Sequence, residues 1–286
     1  SGNDGGLNIS YDDGENWLKY NSTSVGQFYD INVDMKTPYN VYGGFQDNGV
    51  WMGPSNYVAS LRWQSSGSYP WKSIYGGDGM QTEVDLRDNE TVYTGSQFGN
   101  YARVNTRTGE RKRITPSHKL GERPYRWNWE TPIYLSRHNQ DILYMGSNKF
   151  HRSLDQGNNF ETLSGDLTNG GIKGNVSYGT LTTIIESSIR YGLIYVGSDD
   201  GLIHVSKDGG FSWKKDENEK DWIGVSCQGL GASVWWPNKD HMYDEVDSMR
   251  ISVTVPKELM DVSNGQLESV EEKGDFTIYN WVVKNP

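Results

Sequence analysis

The sequence is poor in cysteine and has no long apolar run. Cys227 is the only cysteine among 286 residues, which excludes an internal disulfide framework and a thiolate metal cluster. No segment approaches the roughly 18 apolar residues that a membrane-spanning helix requires. The sequence therefore predicts neither a disulfide-stapled fold nor a membrane span.

Positive charge and paired histidines are also scarce. The chain has 27 Lys and Arg against 37 Asp and Glu, a formal net charge of −10. Nucleic acid is therefore not predicted as a partner, because a surface that follows phosphates needs the opposite charge. The 5 histidines include no pair at the His-Glu-x-x-His spacing, so the sequence predicts no metal site and no cofactor.

Glycine and tryptophan, by contrast, are plentiful, with 34 and 11 residues. Many tight turns and aromatic anchors are typical of short strands that reverse repeatedly. A 51-residue repeat places a tyrosine and, two positions later, a glycine in each copy. These pairs are Tyr42 and Gly44, Tyr93 and Gly95, Tyr144 and Gly146, and Tyr195 and Gly197.

Four strands in about 50 residues is the size of a β-propeller blade, whose sheet buries its faces against its neighbours. A solenoid is the weaker alternative, because helical periodicity is absent. The fold class predicted is all-β, a partial β-propeller of four-stranded blades followed by a small antiparallel β-domain segment.

A second motif, Ser-x-Asp-x-Gly-x-x-aromatic, occurs three times and matches the Asp-box. Its carboxylate can accept backbone N–H bonds across a turn, its glycine supplies a left-handed residue, and its aromatic ring plugs the side of the blade. The motif predicts a structural role without catalysis. Its residues are Ser10, Asp12, Gly14 and Trp17, then Ser153, Asp155, Gly157 and Phe160, then Ser206, Asp208, Gly210 and Trp213.

The repeat is incomplete at both ends. The first box precedes the first complete hairpin, and residues 1–4 contain neither Met nor a signal-peptide core, so we expect an internal piece that begins in mid-blade. The pattern stops near Trp213. We therefore predict about four blades in residues 1–213, in an open or incomplete propeller that another chain could close.

Residues 214–286 form a different segment, with a larger excess of acidic over basic residues. Alternating patterns predict strands over 249–256 and 276–283, with a turn at 263–265. We predict an antiparallel β segment here.

Residues 1–213 resemble the sortilin-type, BNR-like Asp-box propellers of bacterial secreted families, often labelled glycosyl-hydrolase-like. The resemblance rests on the three boxes and on four segments, GQFYDINVD, YGGFQDNGVW, YGGDGMQTEVD and NWETPIYLS. It implies a secreted, periplasmic or cell-surface module without catalysis that binds a protein, peptide or glycan. The alternative it leaves open is a hydrolase.

Residues 211–286 resemble the N-terminal β-domain of an aminopeptidase N-like zinc metallopeptidase, through CQGLGASVWWPNKDHMYDEVDSMRISVTVP and DVSNGQLESV. That family commonly has Asp-Glu-Pro where this chain has Asp-Glu-Val at 244–246. The family's zinc-binding His-Glu-x-x-His motif is missing, so the resemblance implies a piece without catalysis, and no metal ligand is carried over.

A glycoside hydrolase needs two carboxyl groups across a cleft, about 5 to 10 Å apart. Asp47 and Asp78 form the candidate catalytic pair, with Glu83 and Glu130 in reserve. The competing interpretation is turn chemistry, because Asp47 begins a hairpin and Asp78 stands between glycines.

Four tryptophans outside the boxes are candidates for stacking on a sugar or a peptide, with packing between blades as the alternative. They are Trp63, Trp71, Trp127 and Trp129. An arginine cluster like that of sialidases is a further possibility, but the RTGERKR stretch at 107–113 is interpreted as a solvated loop.

Overall fold

In the computed structural model, the described residues are 2–3, 6–20, 26–58, 70–171, 178–215 and 246–284. Within these ranges all of the regular secondary structure is β-strand, and the strands form six antiparallel sheets. The all-β fold class is therefore confirmed. No helix in this part of the chain is long and apolar enough to span a membrane. The chain divides into two compact units, Ser1–Glu217 and Asn218–Pro286.

The first unit begins with a three-stranded sheet, which we call blade 1. Its strands are β1 (Gly2–Asn3), β2 (Gly6–Ile9) and β3 (Leu18–Tyr20). The first box lies between β2 and β3, where the later boxes separate a third strand from a fourth. The described strands of blade 1 therefore correspond to the second, third and fourth strands of a complete blade.

Four complete blades follow, each a four-stranded meander. Blade 2 contains β4 (Phe28–Val33), β5 (Asn40–Phe45), β6 (Gly49–Pro54) and β7 (Lys72–Tyr75). Blade 3 contains β8 (Gly79–Val84), β9 (Thr91–Ser96), β10 (Asn100–Asn105) and β11 (Arg111–Arg113).

Blades 4 and 5 repeat the pattern. Blade 4 contains β12 (Ile133–Leu135), β13 (Leu143–Gly146), β14 (Phe150–Ser153) and β15 (Glu161–Thr162). Blade 5 contains β16 (Leu181–Glu186), β17 (Ile194–Ser198), β18 (Ile203–Ser206) and β19 (Lys214–Lys215). The first strands of successive blades are neighbours, as expected of the inner strands of a propeller.

The core lies between blades, in three clusters at the 2/3, 3/4 and 4/5 junctions. The repeated tyrosines Tyr42, Tyr93 and Tyr144 are each 0% exposed. The repeated glycine allows the next blade to approach closely, because a Cβ atom at Gly146 would lie 2.9 Å from the Cβ atom of Leu181. The residues of the 51-residue repeat are therefore those through which each blade packs on the next.

The three boxes share one pattern of hydrogen bonds. In blade 4, Ser153 Oγ donates to Asp155 Oδ1 (2.8 Å) and accepts from the Gly157 N–H (2.8 Å). The Asp155 carboxylate accepts from the backbone and side-chain nitrogens of Asn159 (2.8 and 2.6 Å), and Gly157 has a φ of 78°. Equivalent bonds join Ser10 with Asp12 and Gly14, Asp12 with Asn16, Ser206 with Asp208 and Gly210, and Asp208 with Ser212.

Trp71 occupies the place of a box aromatic in blade 2, which agrees with the packing alternative considered for this residue. It immediately precedes the last strand of its blade, as Trp213 does in blade 5. Its ring covers Gly53, where a Cβ atom would lie 2.4 Å from the indole. The sequence did not reveal this equivalence, because blade 2 has the aromatic without the Ser, Asp and Gly of the motif.

The described part of the second unit, residues 246–284, forms a three-stranded sheet in the order β20-β22-β21. Its strands are β20 (Ser248–Pro256), β21 (Gln266–Lys273) and β22 (Phe276–Lys284). The two strands expected from the alternating patterns pair antiparallel as β20 and β22. The sequence did not predict β21, because its side chains are exposed throughout and give no alternation.

Candidate functional site

Loops from three blades meet at one end of the first unit. They are the hairpin turn 46–48 of blade 2, the turn 97–99 of blade 3, the link 76–78 between these blades, and the segment 126–132 that leads into blade 4. The Phe98 N–H donates to the Trp129 carbonyl (3.2 Å), which joins blade 3 to blade 4. We call this surface the loop face.

Asp78 joins the loops of blades 2 and 3 through hydrogen bonds. Its Oδ1 accepts from the Asp47 N–H (2.8 Å), and its Oδ2 accepts from Gln97 Nε2 (3.0 Å). The Asp78 N–H in turn donates to Gln97 Oε1 (3.1 Å). Asp78 is 6% exposed. Both of its carboxylate oxygens thus accept hydrogen bonds within the loops.

Asp47, the other member of the predicted catalytic pair, lies at the tip of its hairpin. Its φ of 58° is in the left-handed region, and its side chain is exposed. Asp47 and Asp78 lie beside one another in the structure. The contact between them, however, runs from the backbone of Asp47 to the carboxylate of Asp78, which is the turn chemistry considered as the alternative.

Three aromatic rings lie on the loop face, and we call them the aromatic platform: Tyr29, Phe98 and Trp129. Phe98 and Trp129 pack edge to face, with ring centroids 5.2 Å apart. Trp129 Nε1 donates to the Tyr29 hydroxyl (3.1 Å), and that hydroxyl donates to Gln46 Oε1. Burial raises the pKa of Tyr29, so it remains a neutral donor. Both Tyr29 and Trp129 are only partly buried.

Trp127 lies beside the platform and packs inward. A Cβ atom on Gly99 would lie 2.8 Å from its ring, and its ring centroid is 5.6 Å from that of the buried His151. His151 bonds to Ser147 (2.7 Å) and Thr162 (3.0 Å), and burial lowers its pKa to about 3. The Trp127 ring therefore packs against its neighbours, as the Trp71 ring does, whereas Trp129 joins the platform. The stacking of these tryptophans on a ligand stays a prediction. Trp63 lies outside the described residues.

Three carboxyl groups near the inner strands have raised pKa values. Burial raises the pKa of Glu83 to about 8, with a further contribution from Asp30 and an opposing one from Arg137. Burial and the charge of Asp30 raise the pKa of Glu130. Burial also raises the pKa of Asp30. Glu83 and Glu130 were the reserve candidates, and they are electrostatically coupled to the same neighbour.

Asp30 was not singled out by sequence reasoning, because the positions one, two and three repeats after it hold other residue types, Gln81, Pro132 and Thr183. Asp30 Oδ2 accepts from the Thr82 N–H (3.5 Å), and Gln81 Oε1 accepts from the Ile133 N–H (3.1 Å). In both blades the side chain at this position therefore bonds the inner strand of the next blade, although the residue type differs.

The described residues contain no group of three or more His, Cys, Asp or Glu side chains that could hold a metal ion. Arg111 and Arg113 lie on the exposed outer strand of blade 3.

Neither family models nor curated protein sequences match the chain. Among solved structures, it is similar to the GH74 enzyme of Niastella koreensis (TM-score 0.44, 15% identity, 66% of this chain and 29% of that one). It is also similar to the GH74 xyloglucanase of Xanthomonas campestris (TM-score 0.47, 17% identity, 68% and 31%). YCF48 bound to D1 peptide is a third similar structure (TM-score 0.32, 10% identity, 48% and 38%).

The chain thus spans less than a third of the length of either GH74 enzyme. Its fold assignment rests on its own sheets, whose order and register repeat from blade 2 to blade 5.

Proposed function

We propose that the first unit is a binding module and that its loop face binds a glycan through the aromatic platform. The observation that carries this proposal is the anchoring of Trp129. Its indole is held by the bond to Tyr29 and by the edge of Phe98, yet it stays partly exposed. A ring fixed before binding loses little conformational entropy when a ligand stacks on it.

Groups around the platform suit a sugar better than an apolar peptide. The Gln46 amide accepts from Tyr29, the Gln97 amide donates to Asp78, and the exposed Asp47 lies at the tip of the adjacent hairpin. Sugar rings combine an apolar face, which stacks on an aromatic ring, with hydroxyl groups that bond to amides and carboxylates. A peptide ligand is the competing case, and the binding experiment separates the two.

The experiment measures affinity of the full chain for a panel of neutral and acidic polysaccharides and for unstructured peptides by calorimetry. Trp129→Ala should weaken glycan binding about tenfold, roughly 1.4 kcal/mol, through loss of the stacking surface. Phe211→Ala is the matched control, because Phe211 is also an exposed aromatic but lies in the box turn at the other end of blade 5. Equal loss in both variants, or binding to peptides alone, would contradict the proposal.

A second candidate, glycoside hydrolysis, is favoured by the raised pKa values of Glu83 and Glu130. With a pKa of about 8, the Glu83 carboxyl group remains protonated near neutral pH and can serve as a general acid. Any sugar release from a polysaccharide that the chain binds should then fall about 10²-fold or more in Glu83→Gln or Glu130→Gln. A loss confined to Asp47→Asn and Asp78→Asn would instead assign the chemistry to that pair.

The resemblances of the two units to particular protein families are also proposals. We propose that residues 1–213 are of sortilin type and act in a secreted, periplasmic or cell-surface setting, and that the second unit derives from an aminopeptidase N-like domain without its catalytic metal. The support is the motifs in the sequence.

A further inference from the structure

Both ends of the four-blade array present an apolar sheet face. On blade 5, the face directed away from blade 4 exposes Ile185, Tyr195 and Ile203, at 55, 43 and 37%. On blade 2, the face directed away from blade 3 exposes Ile31 and Val33, at 56 and 40%. A sheet normally buries such a face against another layer.

The exposed face of blade 5 has the same residue types that are buried at the equivalent positions of blades 2, 3 and 4. Tyr195 is one repeat beyond Tyr144, and Tyr42, Tyr93 and Tyr144 are all 0% exposed at the three internal junctions. Gly197 is likewise one repeat beyond Gly146, whose missing Cβ admits the next blade. A Cβ atom at Gly197 would meet only Thr183 of its own blade, at 3.0 Å. The open face thus keeps a glycine suited to a close neighbour.

The open face of blade 2 carries the complementary residues. Ile31 is the first member of a column whose other members are at most 6% exposed: Thr82, Ile133 and Ile184. Each of these buried residues lies on the side of its blade that receives the tyrosine-bearing face of the preceding blade. Blade 1, as far as it is described, leaves Ile31 and Val33 exposed.

The chain therefore carries both halves of an interface that it already forms three times internally. We propose that a second copy of this chain completes it, with the tyrosine-bearing face of blade 5 in one copy packed on the isoleucine-bearing face of blade 2 in the other. The contact continues the established blade-to-blade packing, so no new surface chemistry is required. It is heterologous, because each copy contributes a different face, and it closes into a ring if the rotation permits.

The test measures the molar mass of the full chain by sedimentation equilibrium over about 1 to 100 μM. The wild type should associate. Ile31→Arg and Tyr195→Arg should each raise the dissociation constant at least about tenfold, since each places a charge in a desolvated apolar contact. Ile189→Arg is the matched control: Ile189 is exposed but lies in the loop between β16 and β17, outside both faces, so association should persist.

Mixing the two disabled variants tests the head-to-tail geometry. Ile31→Arg retains an intact blade 5 face and Tyr195→Arg an intact blade 2 face, so an equimolar mixture should recover association through one interface. Circular dichroism checks that each variant is folded, and Ile31→Ser and Tyr195→Ser replace any that is not. A monomeric wild type, as expected if another part of the same chain covers these faces, would overturn the proposal, and so would a mixture that stays monomeric.

Discussion

The carboxyl groups of the boxes, at the outer turns of the blades, behave oppositely to those of Asp30 and Glu83 on the inner strands. Hydrogen bonds from Asn159 hold the pKa of Asp155 below its usual range, and bonds from Ser212 lower that of Asp208 to about 2. Burial instead raises the pKa values of Asp30 and Glu83. The same chemical group is thus stabilised as an anion at the rim and destabilised as an anion at the inner strands.

The difference follows from the number of donors around each group. Three nitrogen or oxygen donors surround Asp155 within one tight turn, so its negative charge is compensated locally. Asp30 has the Thr82 N–H at 3.5 Å and lies among other acidic groups. A carboxylate that closes a turn contributes to the fold, whereas a buried acid with few donors can hold a proton for other uses.

The largest effect is expected when a rim carboxylate is removed. Asp155→Ala deletes the acceptor of three short hydrogen bonds, and we expect the free energy of unfolding to fall by about 2 to 3 kcal/mol. Urea denaturation at neutral pH measures the loss. Glu122→Ala, an exposed carboxylate in a surface turn, is the control, and its effect should stay within about 0.5 kcal/mol. Equal losses in the two variants would mean that the box carboxylate does not stabilise its turn.

An intermediate effect, of opposite sign, is expected at the inner strands. Because the pKa of Glu83 in the folded state, about 8, exceeds its usual value near 4.5, its contribution to stability is complete below pH 4.5 and is lost as the pH rises through 8. Glu83→Gln cannot ionise, so it should be more stable than the wild type at pH 9, by about 1 to 2 kcal/mol.

Urea midpoints measured between pH 5 and 9 test this expectation. The control is Glu110→Gln, an exposed glutamate of the same blade, which should keep the wild-type dependence on pH. If the Glu83→Gln and wild-type curves run parallel across this range, Glu83 ionises freely in the folded protein and the contrast between rim and inner strand disappears.

The box turns at the outer edge of the blades could be predicted from the sequence. The contacts of the inner strands could be predicted only in part, and the reason is physical. A box turn is local, so Ser153, Asp155 and Gly157 must stand at fixed spacing for their bonds to form. The repeated tyrosines and glycines, such as Tyr144 and Gly146, can likewise be recognised in the sequence, because each blade packs on the next in the same way. The environments of Asp30 and Glu83 depend on the approach of separate blades, which no local pattern encodes.

The smallest effect concerns blade 3, which has no box. There the Asn105 side chain accepts from the N–H groups of Arg107 and Thr108 (3.1 and 2.8 Å), so a neutral amide takes the place of the carboxylate. Neutral acceptors form weaker hydrogen bonds than charged ones. Asn105→Ala should therefore lower the free energy of unfolding by about 1 kcal/mol, less than half the loss from Asp155→Ala.

Asn105→Asp sharpens the comparison, because it places a charged acceptor before the same two N–H groups. Its urea midpoint at pH 7 should equal or exceed that of the wild type, and the gain should vanish as the pH falls below about 4 and the carboxylate is protonated. If Asn105→Asp is as unstable as Asn105→Ala at pH 7, the charge of the box aspartates matters only within their own hydrogen-bond network. Asn159 and its equivalents would then be as necessary as the carboxylate, since they supply the donors that blade 3 lacks.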